Sequence, residues 1–163
     1  MACKSRTLEL TVLSVEGLRV RGRPSSKGAF AVVRAESLTS YTTAVAVGNN
    51  GVHWWNEKFA VELGAAARSL TFEVKCKTGM PSVRDVAVAR IALSDFLGGV
   101  VPDHCLQFLC YRLRDWDARE CGIVNFSVRL LSPPPPPPPL HAAGVVTGVP
   151  VWWNSSSATS SRV

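Results

Sequence analysis

Apolar and polar residues alternate in short runs along the first 131 positions, and the period is two rather than 3.6. Leu8, Leu10 and Val12 are separated by Glu9 and Thr11, which predicts a half-buried strand that Gly17 ends. Further runs follow at about Ala29–Ala35, Tyr41–Val47, Glu57–Leu63, Leu70–Cys76, Val86–Leu93, Leu106–Leu113 and Gly122–Leu131. In the last, Ile123, Asn125, Ser127 and Arg129 alternate with Val124, Phe126, Val128 and Leu130. Gly, Pro and Asn punctuate the runs, and Asn49-Asn50-Gly51 is a turn that tolerates positive φ. Ser94 stands where it would cap one short turn over Asp95, Phe96 and Leu97. Helical periodicity is nearly absent. Eight strands and almost no helix predict an all-β fold, an eight-stranded antiparallel β-sandwich.

The alternation stops at Ser132, where seven prolines, Pro133 to Pro139, begin. Fixed φ and the missing N–H make such a run a polyproline II rod. A Gly/Val stretch and a Ser-rich end complete a flexible tail over 132–163, after a sandwich domain over 1–131. The rod suits a polyproline-binding domain such as profilin, SH3 or WW. SH3 domains usually want flanking Arg or Lys, and none is near, so a plain spacer is the other reading. Val149–Trp153, with two tryptophans, has either a membrane interface or the sandwich as its destination.

Composition narrows the partners. Hydrophobic residues form 47% of the chain, which is enough for a core. All 12 acidic residues and all but one of the 18 Lys/Arg precede residue 132, leaving the domain cationic. That excess favours anionic membranes or acidic protein patches, and is too diffuse to argue for nucleic acid. Cys3, Cys76, Cys105, Cys110 and Cys121 contain no C-x-x-C pair, so neither a disulfide framework nor a zinc site is expected. The N-terminal residues lack the apolar run of a secretory signal, and Ala2 does not fit N-myristoylation. Cys3, beside Lys4 and Arg6, is a palmitoylation candidate. The uncharged stretch from Leu140 to Trp153 is too short to span a bilayer and contains a proline. A cytoplasmic chain with reduced thiols is expected.

Catalytic patterns are missing from the sequence: no H-E-x-x-H, G-x-S-x-G or Gly-rich phosphate loop occurs. His53, His104 and His141 are the histidines. His104 and Cys105 are neighbours that would point to opposite faces of a strand, a poor nucleophile–base pair. Asp115 and Asp117 flank Trp116 inside DWDARECG, between Arg114 and Arg119, and read as a solvated hairpin turn. No enzyme is expected.

Three stretches carry a family likeness: LELTVLSVEGL, SKGAFAVV from Ser26 to Val33, and Trp55-Asn56-Glu57-Lys58-Phe59. With LTFEVKC and DVAVARIALSDFL they resemble a C2 domain over about residues 6–131. Opening on the first strand and closing on GIVNFSVRL resembles the type II arrangement. Within the family the chain is most similar to small plant C2 proteins associated with membrane-bound copines that restrain defence and cell death. The resemblance implies phospholipid binding, peripheral association with the plasma membrane and an adaptor role. The alternative it leaves open is a protein-interaction module for a copine-like partner, with incidental lipid contact.

One departure from the family pattern concerns calcium, which needs six to eight oxygen ligands. C2 domains supply these as Asp residues from two loops. The first loop, Arg19 to Gly28, has no acid, and Gly28 stands at an Asp position. The second, Lys77 to Asp85, follows Cys76-Lys77-Thr78 where the family has D-x-D. Only Asp85 remains ligand-like, and a turn-capping role suits it equally. A degenerate calcium site, and no other cofactor, is expected. Arg19, Arg21, Arg23 and Lys27 fill the first loop, and Arg84 lies in the facing one. Such a loop could meet lipid head groups directly, at about 1 kcal/mol per basic side chain, or simply be solvated. Lys75 and Lys77 share one face of a strand, either as part of a phosphoinositide-binding cluster or as solubilising lysines. Trp55 is expected to pack at the sandwich end, Trp54 to face outward, and Asn56 to fix a turn.

Overall fold

In the computed structural model, which describes residues 5–79 and 82–131, the period-two segments do become strands. They are β1 (Arg6–Glu16), β2 (Arg19–Val20), β3 (Arg23–Pro24), β4 (Ala29–Arg34), β5 (Ser40–Thr42), β6 (His53–Leu63), β7 (Ser69–Lys77), β8 (Val83–Ala92), β9 (Gln107–Arg114) and β10 (Glu120–Leu131). The expectations placed on Cys3, Pro133–Pro139, His141 and Val149–Trp153 lie outside the described residues.

Eight strands pair in the order β5-β4-β7-β8-β9-β10-β1-β6, and β2 pairs with β3 separately. Between β8 and β9 the register holds a single pair, Val88 opposite Arg114. The order folds back at that joint into two four-stranded layers, β5-β4-β7-β8 and β9-β10-β1-β6. The first and last strands lie side by side, from Thr7 opposite Leu131 to Glu16 opposite Ile123. This is the antiparallel sandwich with the type II strand arrangement that the alternation and the resemblance predict. Leu8, Leu10, Val12, Val124, Phe126 and Val128 of one layer are fully buried, as are Ala31, Val33, Phe72 and Val74 of the other. Phe72 and Phe126 meet between the layers, with ring centroids 4.6 Å apart. Burial of each large side chain contributes roughly 1.5–3 kcal/mol.

Four boundaries differ from the sequence reading, each for a local reason. The Tyr41–Val47 run is a strand only to Thr42. Beyond it side chains replace the ladder: Ala31 N–H donates to Thr43 Oγ1 at 2.9 Å and Ala44 N–H to Glu57 Oε1 at 2.7 Å. The chain rejoins β4 at a single bridge, Ala46 opposite Ala29. β6 begins at His53, four residues before Glu57, because Asn56 takes a positive φ of 53° inside the strand. There the register on β1 shifts between Val12 and Ser14; Asn56 fixes a bulge rather than a turn. β8 begins at Val83, so Arg84 and Asp85 belong to a strand and the loop before them is short. Finally, the short turn spans Leu93–Asp95 with Ala92 at its N-cap and no side-chain cap, so Ser94 lies within it.

Candidate functional site

Antiparallel connectivity brings residues 17–28, 43–52, 78–79, 82 and 115–119 to one end of the sandwich. Backbone bonds lock the first two together. Leu18 N–H donates to Gly51 O at 2.8 Å, Ser25 N–H to Leu18 O at 2.8 Å, and Gly51 N–H to Ser25 O at 2.9 Å. Asn50 and Gly51 take the expected positive φ, 49° and 83°. His53 is wholly buried beneath this base, and its Nε2 donates to Lys27 O at 2.8 Å. The ring fits because residue 48 is glycine; a Cβ there would run into it. Trp55 packs nearby, donating from Nε1 to Ala29 O at 3.2 Å, while Trp54 is 65% exposed. Both tryptophans are placed as the alternation predicts.

On this base stands the β2–β3 hairpin, with Arg21 and Gly22 at its tip, where the sequence suggested only a loop. Both have positive φ, 52° and 75°, as a primed two-residue hairpin turn requires. For arginine that conformation costs about 1 kcal/mol. Beside the hairpin, Asp115 organises its own turn. Its Oδ1 accepts from Asp117 N–H and Arg119 N–H, both at 2.9 Å, and Arg114 reaches Ala118 O at 2.9 Å. The turn presents Trp116, 73% exposed, and Val47 on the neighbouring loop is 82% exposed. Arg19, Arg21, Arg84 and Arg119 line one cleft of about 310 Å³ together with Trp116, Asp85, Asp115 and Asp117. Residues of the 115–119 hairpin thus join the apex, which the sequence did not foretell; Arg119 and Trp116 are the additions.

Ion pairs are sparse at this end and frequent on the sheets, although Arg6 and Arg68, away from the apex, also have no carboxylate within 4.0 Å among the described residues. On the sheets, Arg34, Lys58, Lys75, Arg90, Arg112, Arg114 and Arg129 each have a carboxylate within 4.0 Å. At the apex, Arg19, Arg21, Arg23, Lys27, Lys77, Arg84 and Arg119 have none among the described residues. Lys75 therefore parts company with Lys77. It lies opposite Asp85 on β8, with Nζ 3.0 Å from Asp85 Oδ1 and 3.6 Å from Glu73 Oε2. Asp85 is held by that lysine and does not cap a loop.

Where acidic ligands would be expected, the chemistry is neutral or cationic. Cys76 is buried with its Sγ 3.8 Å from Ser25 Oγ, and burial raises its thiol pKa. It is a neutral thiol at cellular pH. Asp115 is engaged by its turn and Asp85 by Lys75, and no group of three or more His, Cys, Asp or Glu suited to a metal converges among the described residues. At the opposite end, His104 Nδ1 lies 2.8 Å from Leu130 O, whereas Cys105 Sγ contacts Leu106 O. No described helix is long and apolar enough to cross a membrane.

No family model matches the chain. BON1-associated protein 2 of Arabidopsis thaliana is 37% identical over 126 residues, covering 76% of this chain and 60% of that protein's length. The chain therefore spans about three fifths of that relative. Among solved structures, the C2A domain of plant extended synaptotagmin 1 superposes with a TM-score of 0.61 at 17% identity, over 77% of this chain and 93% of that one. The C2A and C2B domains of extended synaptotagmin 2 give 0.57 at 14%, over 78% of this chain and 40% of that one. Human GIVD cytosolic phospholipase A2 gives 0.62 at 12%, over 80% of this chain and only 17% of the enzyme. Sequence and fold agree: the chain has the C2 fold and is similar, over about three quarters of its length, to a BON1-associated protein.

Proposed function

We propose that the apex docks the protein on anionic phospholipid membranes without calcium, as a non-catalytic adaptor at the cytoplasmic face of the plasma membrane. The observation that carries this reading is the concentration of unpaired cations at the apex, which holds seven of the nine Lys and Arg that have no carboxylate within 4.0 Å among the described residues. A calcium ion needs several carboxylates; of the three that line this cleft Asp85 is engaged by Lys75 and Asp115 by its own turn, beside four guanidinium groups. That donor set suits a phosphate better than a divalent cation. Arg21 keeps a strained backbone conformation that glycine or asparagine would hold more easily, consistent with a side chain retained for its charge. Trp116 and Val47 add apolar groups beside the arginines, the mixture favoured at a membrane interface. About four engaged cations at about 1 kcal/mol each give a reversible attachment comparable to one signal of a two-signal anchor.

Co-sedimentation with neutral phosphatidylcholine vesicles and with vesicles containing phosphatidylserine, each in calcium and in chelator, tests this. Binding confined to the anionic vesicles and indifferent to calcium is expected. Strict calcium dependence, or equal binding to neutral vesicles, would refute it.

A second reading rests on the relative's name, which states an association with BON1. In it the sandwich binds a copine-like protein and lipid contact is incidental, with restraint of plant defence and cell death as the wider role. Phe108, 70% exposed on the outer face of β9, is an apolar group available to such a partner. Partner binding that survives high salt and the loss of the apex arginines would favour it.

A further inference from the structure

We propose that Ser26 is a phosphorylation site for a basophilic protein kinase, and that its phosphate switches off docking at the apex. The switch rests on the membrane reading above; the site does not. Arg21 and Arg23 stand five and three residues before Ser26, a spacing suited to kinases that select substrates by charge pattern. The sequence offers two adjacent hydroxyls, Ser25 and Ser26, and the structure separates them. Ser25 is 6% exposed; its Oγ faces Cys76 Sγ and its N–H is bonded to Leu18 O. Ser26 is exposed, and neither its hydroxyl nor its amide has a hydrogen-bond partner among the described residues. The preceding hairpin is held by only two residue pairs, Arg19–Pro24 and Val20–Arg23, so local opening into a kinase cleft is inexpensive.

The reaction consumes ATP. Ser26 Oγ bonds to the γ-phosphorus, the bond from that phosphorus to the β–γ bridging oxygen breaks, ADP leaves, and the hydroxyl proton passes to the kinase's base. The product puts a charge of about −1.5 to −2 at neutral pH into a cleft that Ser26 shares with Arg21, Arg23, Lys27 and Arg84. These groups would then pair with the internal phosphate in place of lipid phosphates. Cancelling roughly two cations, at about fivefold in affinity each, lowers partitioning onto anionic vesicles by about 30-fold.

The test treats the full chain with MgATP and the catalytic domain of a kinase selective for Arg at these two positions, then maps the phosphate by mass spectrometry. Phosphate on Ser26 and not on Ser25 is expected, with no incorporation into residues 19–28 of Ser26→Ala and unchanged incorporation in Ser25→Ala. Vesicles with phosphatidylserine should then bind the phosphorylated chain about 30-fold more weakly, and phosphatase should restore binding. Phosphate on Ser25, or none in residues 19–28, overturns the site; undiminished binding by the Ser26 phosphoform overturns the switch. If the unmodified chain itself ignores anionic vesicles, the docking reading and the switch fail together, while the mapped phosphate still decides the site.

Discussion

Two triple substitutions that change net charge equally should affect membrane binding very unequally. Replacing Arg19, Arg21 and Arg84 by Gln takes the chain from +6 to +3, and so does replacing Arg34, Lys58 and Arg90. The first three have no carboxylate within 4.0 Å among the described residues, whereas the second three contact Glu73, Glu9 and Glu36 at 3.1, 3.4 and 3.2 Å. At about 1 kcal/mol per engaged cation, the apex triple loses about 3 kcal/mol, on the order of 150-fold in partitioning. The sheet triple loses charges already compensated within the protein, and its binding should stay within about threefold, because such surface pairs are worth only about 0–1 kcal/mol. The assay is co-sedimentation with phosphatidylserine vesicles across a salt series, with thermal melts to verify folding. Binding by the parent chain should fall steeply as the Debye length contracts from about 10 Å at 0.1 M to about 3 Å at 1 M salt. Equal losses from the two triples would show that net charge alone sets binding, and the argument from unpaired cations would be wrong.

Other expectations concern the scaffold. Glu36 accepts hydrogen bonds from Ser69 Oγ and Arg68 N–H and pairs with Arg90, which lowers its pKa below 4.5. Its stabilising contribution is therefore present above about pH 4.5 and lost as pH falls through the lower folded value; the Tm gap between parent and Glu36→Gln should narrow in that window. A gap unchanged down to pH 2 would contradict the assignment. Cys105 and Cys110 are exposed, whereas Cys76 and Cys121 are buried, and burial pushes the Cys121 thiol up to about 11. Maleimide should therefore label the exposed pair in the native chain and the buried pair only after unfolding, as peptide mass spectrometry would show. Asn56→Ala forces a β-carbon residue into the left-handed region and should cost about 1 kcal/mol, roughly 3–6 °C in Tm, while Asn56→Gly should be nearly neutral. Thermal melts of the two variants decide, and equal Tm values would remove the bulge argument.

Much of the fold was legible because alternation is a local property. Each strand of β1, β4, β7 and β10 shows its core face in its own residues, and the split between Trp54 and Trp55 follows from the same rule. Strand ends were less legible. Thr43 and Glu57 take over hydrogen bonds the ladder would have made, and Asn56 carries β6 through a bulge; both depend on a neighbouring strand. The apex arginines were identified from sequence, but Arg119 and Trp116 come from a hairpin about a hundred residues further along the chain, and only folding sets them beside Arg19.

By itself, then, the sequence determined that two layers of alternating strands would form and that an acid-poor, arginine-rich segment would lie between the first two long strands. Which cations remain available was decided only in three dimensions. A register shift between Val74 and Lys75 sets Lys75 opposite Asp85 and neutralises it, while Lys77, two residues on, finds no carboxylate. Charge is a property of a residue, but compensation is a property of a pair, and pairs between strands exist only once the register is set.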